Sequence, residues 1–168
     1  MNLIEFFLSG LEQEAQITRK MLAIVPNDSY NWQPHPKSMT VSQLVSHIAE
    51  IPGWINIALT TTELDFATEE KPTQFTNTAD AMACLEKCLA ESKAQLEAAT
   101  MEDLDKPWSM RSGDQVYFTL PVSEVIRMSF SQLTHHRAQL GVFLRLLDVR
   151  IPGSYGPSAD EMMEEVFG

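Results

Sequence analysis

The sequence predicts an all-α protein: a four-helix bundle with a small hairpin and a short C-terminal helix added to it. Three observations carry this reading. Apolar residues recur at helical spacing in four long stretches, alternating strand patterns are almost absent, and two of the connections are long. Antiparallel neighbours are usually joined by short loops, so long connections predict an up-down-down-up path. The 168 residues suit a single domain, 1–168, with a sizeable core.

Residues 2–25 carry Leu3, Phe7, Leu11, Ala15, Ile17, Leu22 and Ile24 near a 3.6-residue period, opposite polar Glu12, Gln13, Arg19 and Lys20. Pro26-Asn27-Asp28 stops this helix. Pro34 and Pro36 flank His35 and hold that segment extended. Thr40-Val-Ser-Gln43 has capping-box form and opens a second helix, with Val41, Leu44, Ile48, Ile51, Ile55 and Leu59 on one stripe. Pro52-Gly53 predicts a kink or break in it. Residues 60–76 turn polar and acidic and read as a crossover loop. A third helix spans about 78–98, with Met82, Leu85, Leu89 and Leu96 inward.

Ser112-Gly113-Asp114 lies between alternating segments, as in a short hairpin. Pro121 fits the first position of the last long helix. Its stripe runs Val122, Val125, Ile126, Ser129, Leu133, His136, Leu140, Phe143, Leu144, Leu147, and Arg150-Ile-Pro-Gly153 ends it. Ser158-Ala-Asp-Glu161 is a second capping box, starting a short helix with Met162, Met163 and Val166.

A net charge of −11 repels phosphate backbones and acidic membrane surfaces, so nucleic acid and membrane are not expected partners. No run approaches the roughly 20 apolar residues of a membrane span. The apolar N-terminus carries Glu5 and no basic segment, so it is not read as a signal peptide. Cys84 and Cys88, four apart on a helix, have poor disulfide geometry. A reduced, cytoplasmic protein is expected.

His47 and His136 fall on the core stripes of two different helices. Bundles build metal sites this way, from side chains converging on the interior, and imidazole suits Zn, Ni, Cu or Fe(II). The alternative is two buried histidines satisfied by backbone or carboxylate partners. Gln132 stands one turn before His136, either as a weak carboxamide ligand or holding a water or the second ring nitrogen. Glu50 stands one turn after His47 as a ligand, a general base, or a solvated edge residue. Carboxylate-bridged di-iron sites need Glu-x-x-His pairs, and here the order is reversed and occurs once. His135 lies about 100° round the helix from His136 and faces a neighbouring chain or loop. Cys84 and Cys88 read as core packing, and Arg137 and Arg145 as surface or inter-loop ion pairs. No phosphate loop, nucleophile elbow or H-E-x-x-H motif is found.

Four ordered segments resemble the DinB/YfiT-like family of metalloenzymes. They are Trp32-Gln-Pro-His-Pro-Lys-Ser-Met-Thr40, Leu44-Val-Ser-His-Ile-Ala49, His135-His-Arg-Ala-Gln-Leu-Gly-Val-Phe-Leu-Arg-Leu-Leu147 and Ile151-Pro-Gly-Ser-Tyr-Gly-Pro-Ser-Ala-Asp160. The resemblance implies a homodimeric, stress-associated bundle with nickel or zinc on three histidines, one from the second helix and two, four apart, from the last. His47 and His136 match two of these positions, and the third falls on Gln132. Glu50 or water would then complete the site, or the metal would bind weakly or not at all. The family also implies a metal-dependent thiol transferase or hydrolase, with a low-molecular-weight thiol as cofactor. Two alternatives stand beside this: a non-catalytic dimeric bundle with a degenerate metal site, and a bundle that binds a small ligand.

Overall fold

The computed structural model describes residues 1–68 and 73–162. Its helices are α1 (Leu3–Ala23), α2 (Val41–Glu50), α3 (Gly53–Thr60), α4 (Thr78–Ala98), α5 (Met101–Asp105) and α6 (Val122–Leu146). Its strands are β1 (Glu63–Asp65), β2 (Pro107–Ser112) and β3 (Gln115–Pro121).

Side-chain caps set where α1, α2 and α4 begin. Asn2 and Glu5 form a capping box at α1, and Thr40 and Gln43 form the expected one at α2. The break at Pro52-Gly53 also forms, separating α2 from α3. Its freed backbone groups are met from α4, where the Ser92 hydroxyl donates to Pro52 O at 2.7 Å and accepts from Asn56 N at 3.2 Å. A side chain inserted into the helical ladder is a recognised cause of a kink. Gly53 lets α3 come close to α4 there, since a Cβ at this position would meet Cys88 Sγ at 3.1 Å.

Each of α1 and the α2–α3 pair packs against both α4 and α6, so α1 and α2–α3 occupy opposite corners. Between them lie Leu22, Leu44, Ile48, Ile55, Leu85, Leu96, Ile126, Leu133 and Leu140, all buried. These are the stripes that the helical period marks out, removed from water together. α2 and α6, which carry the two inward histidines, are therefore neighbours.

The molecule is mostly helical but not all-α. The segment read as a crossover loop contributes β1, which pairs parallel with β2 (Glu63↔Ser109, Asp65↔Arg111). β2 and β3 form the expected antiparallel hairpin, giving a sheet in the order β1-β2-β3. Three residues are too few to show a period, and β1 exists because of its partner. The Arg111 guanidinium reaches Glu63 at 2.6 Å and Asp65 at 2.9 Å, while Asp65 also accepts from Gly113 N. Gly113, at φ 56°, takes the left-handed turn position that favours glycine.

Three smaller features complete the fold. α5, too short to show a helical period, is capped by Thr100 and Asp103. Pro121 ends β3 and is the N-cap of α6, one position earlier than its missing N–H suggested. The Ser158–Glu161 capping box forms and a helical turn starts at Ala159, while Met163 and Val166 lie outside the described residues. Among the described residues, no helix is long and apolar enough to cross a membrane.

Candidate metal centre

His47 sits among buried Leu44, Ile48 and Ala49 on α2, and His136 between buried Leu133 and Leu140 on α6. Their rings meet edge to face, with centres 4.5 Å apart and planes at 79°. Trp54, on the far side of the α2–α3 break, presents an edge to His47 at 5.8 Å. His136 Nδ1 lies 2.9 Å from Gln139 Oε1, one turn further along α6.

Both imidazoles and Glu50 open into one cavity of about 300 Å³, whose other walls are Met39, Gln43, Ser46, Thr73 and Gln74. The Thr73-Gln74 wall is anchored through the next residue. Phe75 N donates to Ser46 Oγ at 2.8 Å, and Phe75 O accepts from Ser42 Oγ at 2.6 Å. Two hydroxyls one turn apart on α2 thus satisfy both backbone groups of a single loop residue.

Burial sets the charge states. It pushes His47 down to about 4, helped by the neighbouring His136. Burial also lowers His136, opposed by the hydrogen bond with Gln139. Glu50 is pushed up by burial, and it has no hydrogen-bond partner among the described residues. At neutral pH both rings are uncharged, and each offers one nitrogen lone pair.

This donor set suits a transition metal in part. Two imidazoles held on one ion by bonds of about 2.0–2.1 Å place their ring centres roughly 5.2 Å apart at the tetrahedral angle and roughly 4.5 Å apart at a right angle. The 4.5 Å spacing of His47 and His136 matches the right-angle arrangement and is tighter than the tetrahedral one. A third donor is not gathered: among the described residues, no three His, Cys, Asp or Glu side chains are close enough to hold an ion. Gln132 lines a separate depression with Arg127, Met128, Ser131 and His135, whereas Glu50 lines the histidine cavity itself.

The remaining candidates fall elsewhere. His135 is exposed, its ring against that of His136 at 4.9 Å. His35 is also exposed and accepts from Lys37 N, a local turn contact. Cys84 and Cys88 are free and half-buried, Cys84 packed against the core as expected, and burial raises both thiols, Cys88 to about 12. Thiols held protonated in this way are poor nucleophiles. Arg145 makes the expected inter-segment pair with Asp160. Arg137 does not lie at the surface. It is 2 % exposed and paired with Glu14 of α1, because the position after an inward residue still points between helices when two neighbours flank the helix.

Gln139, Trp54 and the Ser42–Ser46 pair were not singled out from the sequence. Gln139, three residues after His136, and two serines four apart within an apolar stripe were available signals. Thr73 and Gln74 had none, since only the fold brings that loop to the cavity.

The DinB family model matches residues 2–166. A DinB-like protein from Bacillus cereus ATCC 10987 superposes with a TM-score of 0.71 at 23% identity, covering 90% of this chain and 97% of that one. YfiT from Bacillus subtilis, described as a probable metal-dependent hydrolase with an unusual four-helix bundle topology, gives 0.65 at 15% identity, over 86% and 87%. A mycothiol-dependent maleylpyruvate isomerase gives 0.61 at 16% identity, covering 84% of this chain and 61% of that larger one. At these identities the superpositions establish a shared fold.

Proposed function

The chain belongs to the DinB family, and we propose that it is a divalent-metal-binding member whose centre lies between α2 and α6, acting as a metal-dependent transferase or hydrolase. One observation carries the proposal: two uncharged imidazoles, 4.5 Å apart, share a solvent-open cavity with the Glu50 carboxylate. In this reading His47 and His136 are the imidazole ligands and zinc or nickel the metal. Gln132 is a weak third donor at best, which leaves Glu50 or water to complete the set. A divalent ion here would lower the pKa of a bound water or low-molecular-weight thiol and so supply a nucleophile at neutral pH.

The chain's own groups would do the rest. Glu50, made more basic by burial and without a hydrogen-bond partner among the described residues, accepts the proton that the nucleophile sheds. Gln43 uses its Oε1 on Thr40 N, so its amide N–H groups remain to orient a substrate at the mouth, beside Gln74. Cys84 and Cys88 take no part. The thiol chemistry of one structural neighbour and the hydrolase description of another support this reaction class by analogy.

The test is elemental analysis of protein expressed in metal-supplemented medium, before and after chelator, beside His47→Ala and His136→Ala. Bound zinc or nickel, lost in both variants while the helical circular dichroism is kept, is the expected result. Metal-free wild type would overturn it. A second reading, a bundle whose metal site has decayed, is favoured by the position of Gln132 in its own depression. Nanomolar metal affinity in the wild type would rule that reading out.

A further inference from the structure

We infer that Gln139 is a positioning residue, which fixes the tautomer of His136 so that Nε2, with its lone pair, is the nitrogen presented to His47 and the cavity. Gln139 Oε1 lies 2.9 Å from His136 Nδ1, and a carboxamide oxygen can only accept. Nδ1 therefore carries the proton, and in an uncharged ring Nε2 is left as the acceptor. This is the reverse of the tautomer that histidine favours in water. Gln139 does not line the cavity, so it touches neither substrate space nor the site's other donors. Its role is exerted through the ring alone.

The contrast with His47 sharpens the assignment. Among the described residues, the His47 ring makes no hydrogen bond and meets the rings of Trp54 and His136, while the His136 ring has a hydrogen bond to Gln139. One imidazole is held by packing and the other by a directed bond from the same helix. Residues three apart on a helix are neighbours whatever the bundle does around them, so the bond does not depend on a ligand being present. Metal-binding histidines characteristically donate their second N–H to an oxygen, and loss of that partner typically weakens binding by about 10–100-fold. The metal part of this inference rests on the function proposed above. The tautomer part does not.

The experiment has two arms, on wild type, Gln139→Leu and Gln139→Glu. In metal-free protein at neutral pH, long-range proton–nitrogen NMR reads the His136 tautomer directly. Wild type and Gln139→Glu are expected to show Nδ1–H, and Gln139→Leu a shift toward Nε2–H. Competition with a chromogenic chelator then measures zinc affinity. Gln139→Leu is expected to bind about 10–100-fold more weakly, and Gln139→Glu at least as tightly as wild type. An Nε2–H ring in the wild type, or an unchanged tautomer in Gln139→Leu, overturns the inference. Where the wild type does bind zinc, equal affinity of wild type and Gln139→Leu overturns the metal part of the inference. If the wild type binds no zinc but the tautomer follows Gln139, the metal proposal fails and the positioning role stands.

Discussion

His136 and Arg137 are consecutive residues on α6, yet they enter two different kinds of interior. On the α2 side, His136 meets the uncharged ring of His47 and a cavity open to solvent, which Glu50 also lines. On the α1 side, Arg137 is sealed. Its guanidinium donates to Thr18 Oγ1 at 3.0 Å and to the Tyr155 hydroxyl at 2.7 Å, and it lies 2.7 Å from Glu14 Oε2. Tyr155 in turn donates to Glu14 Oε1 at 2.7 Å, tying the segment after α6 to α1. Among the described residues, Glu14 Oε2 has no hydrogen bond, and its contact with the guanidinium is an ion pair. One face of the helix spends its polar groups on each other. The other leaves them available, as a binding or catalytic site must.

The sharpest way to break this comparison is to remove the sealed charge. Arg137→Ala strands Glu14, and should lower the unfolding free energy by about 3–5 kcal/mol in urea titration. Arg137→Met combined with Glu14→Leu should recover most of that loss. A cost below about 1 kcal/mol, as for an exposed pair, would mean that the α1 side is not closed.

The open face should respond to pH instead. His47 takes its proton near pH 4 when folded and near 6.5 when unfolded. Between these values the unfolded chain holds more protons, so this contribution is fully present above pH 6.5 and is lost as the pH falls toward 4. Reduced for the ring's partial exposure, the loss is roughly 1–2 kcal/mol. It is read as the difference in pH dependence between wild type and His47→Leu. Parallel curves would show that burial does not hold His47 uncharged.

A smaller effect is expected at the cavity wall. Ser46→Ala leaves Phe75 N without its acceptor and should cost about 1 kcal/mol. Hydrogen exchange at that amide should speed up, while exchange in the α1–α6 contact stays slow. Equal acceleration on both sides would dissolve the distinction between them.

Gln132→His should change stability least, by under about 0.5 kcal/mol. It is also the finest probe of where the open site ends. One turn before His136, a third imidazole should tighten zinc binding at least about tenfold if position 132 can reach the cavity. Unchanged affinity would confine position 132 to its own depression and leave Glu50 or water to complete the set.

The sequence by itself determined the four apolar stripes, the Thr40 and Ser158 capping boxes, the break at Pro52, and the inward placement of His47 and His136. All of these are local. They follow from the 3.6-residue period, from which hydroxyls can serve free backbone donors, and from proline's missing N–H. Tertiary structure alone decided that β1 would form, that Arg137 would be buried against Glu14, and that Thr73 and Gln74 would wall the cavity. Each of these joins residues far apart in the chain, so no local pattern could announce it.

The adjacent histidines show both halves at once. Helical geometry separates His136 from His135 by about 100°. Only the packing of α2 beside α6 turns His136 into half of a pair, while Gln132, on the same helix, opens into a different depression. Periodicity assigns a residue to a face, but which partner and how much water that face meets depends on the neighbouring helices.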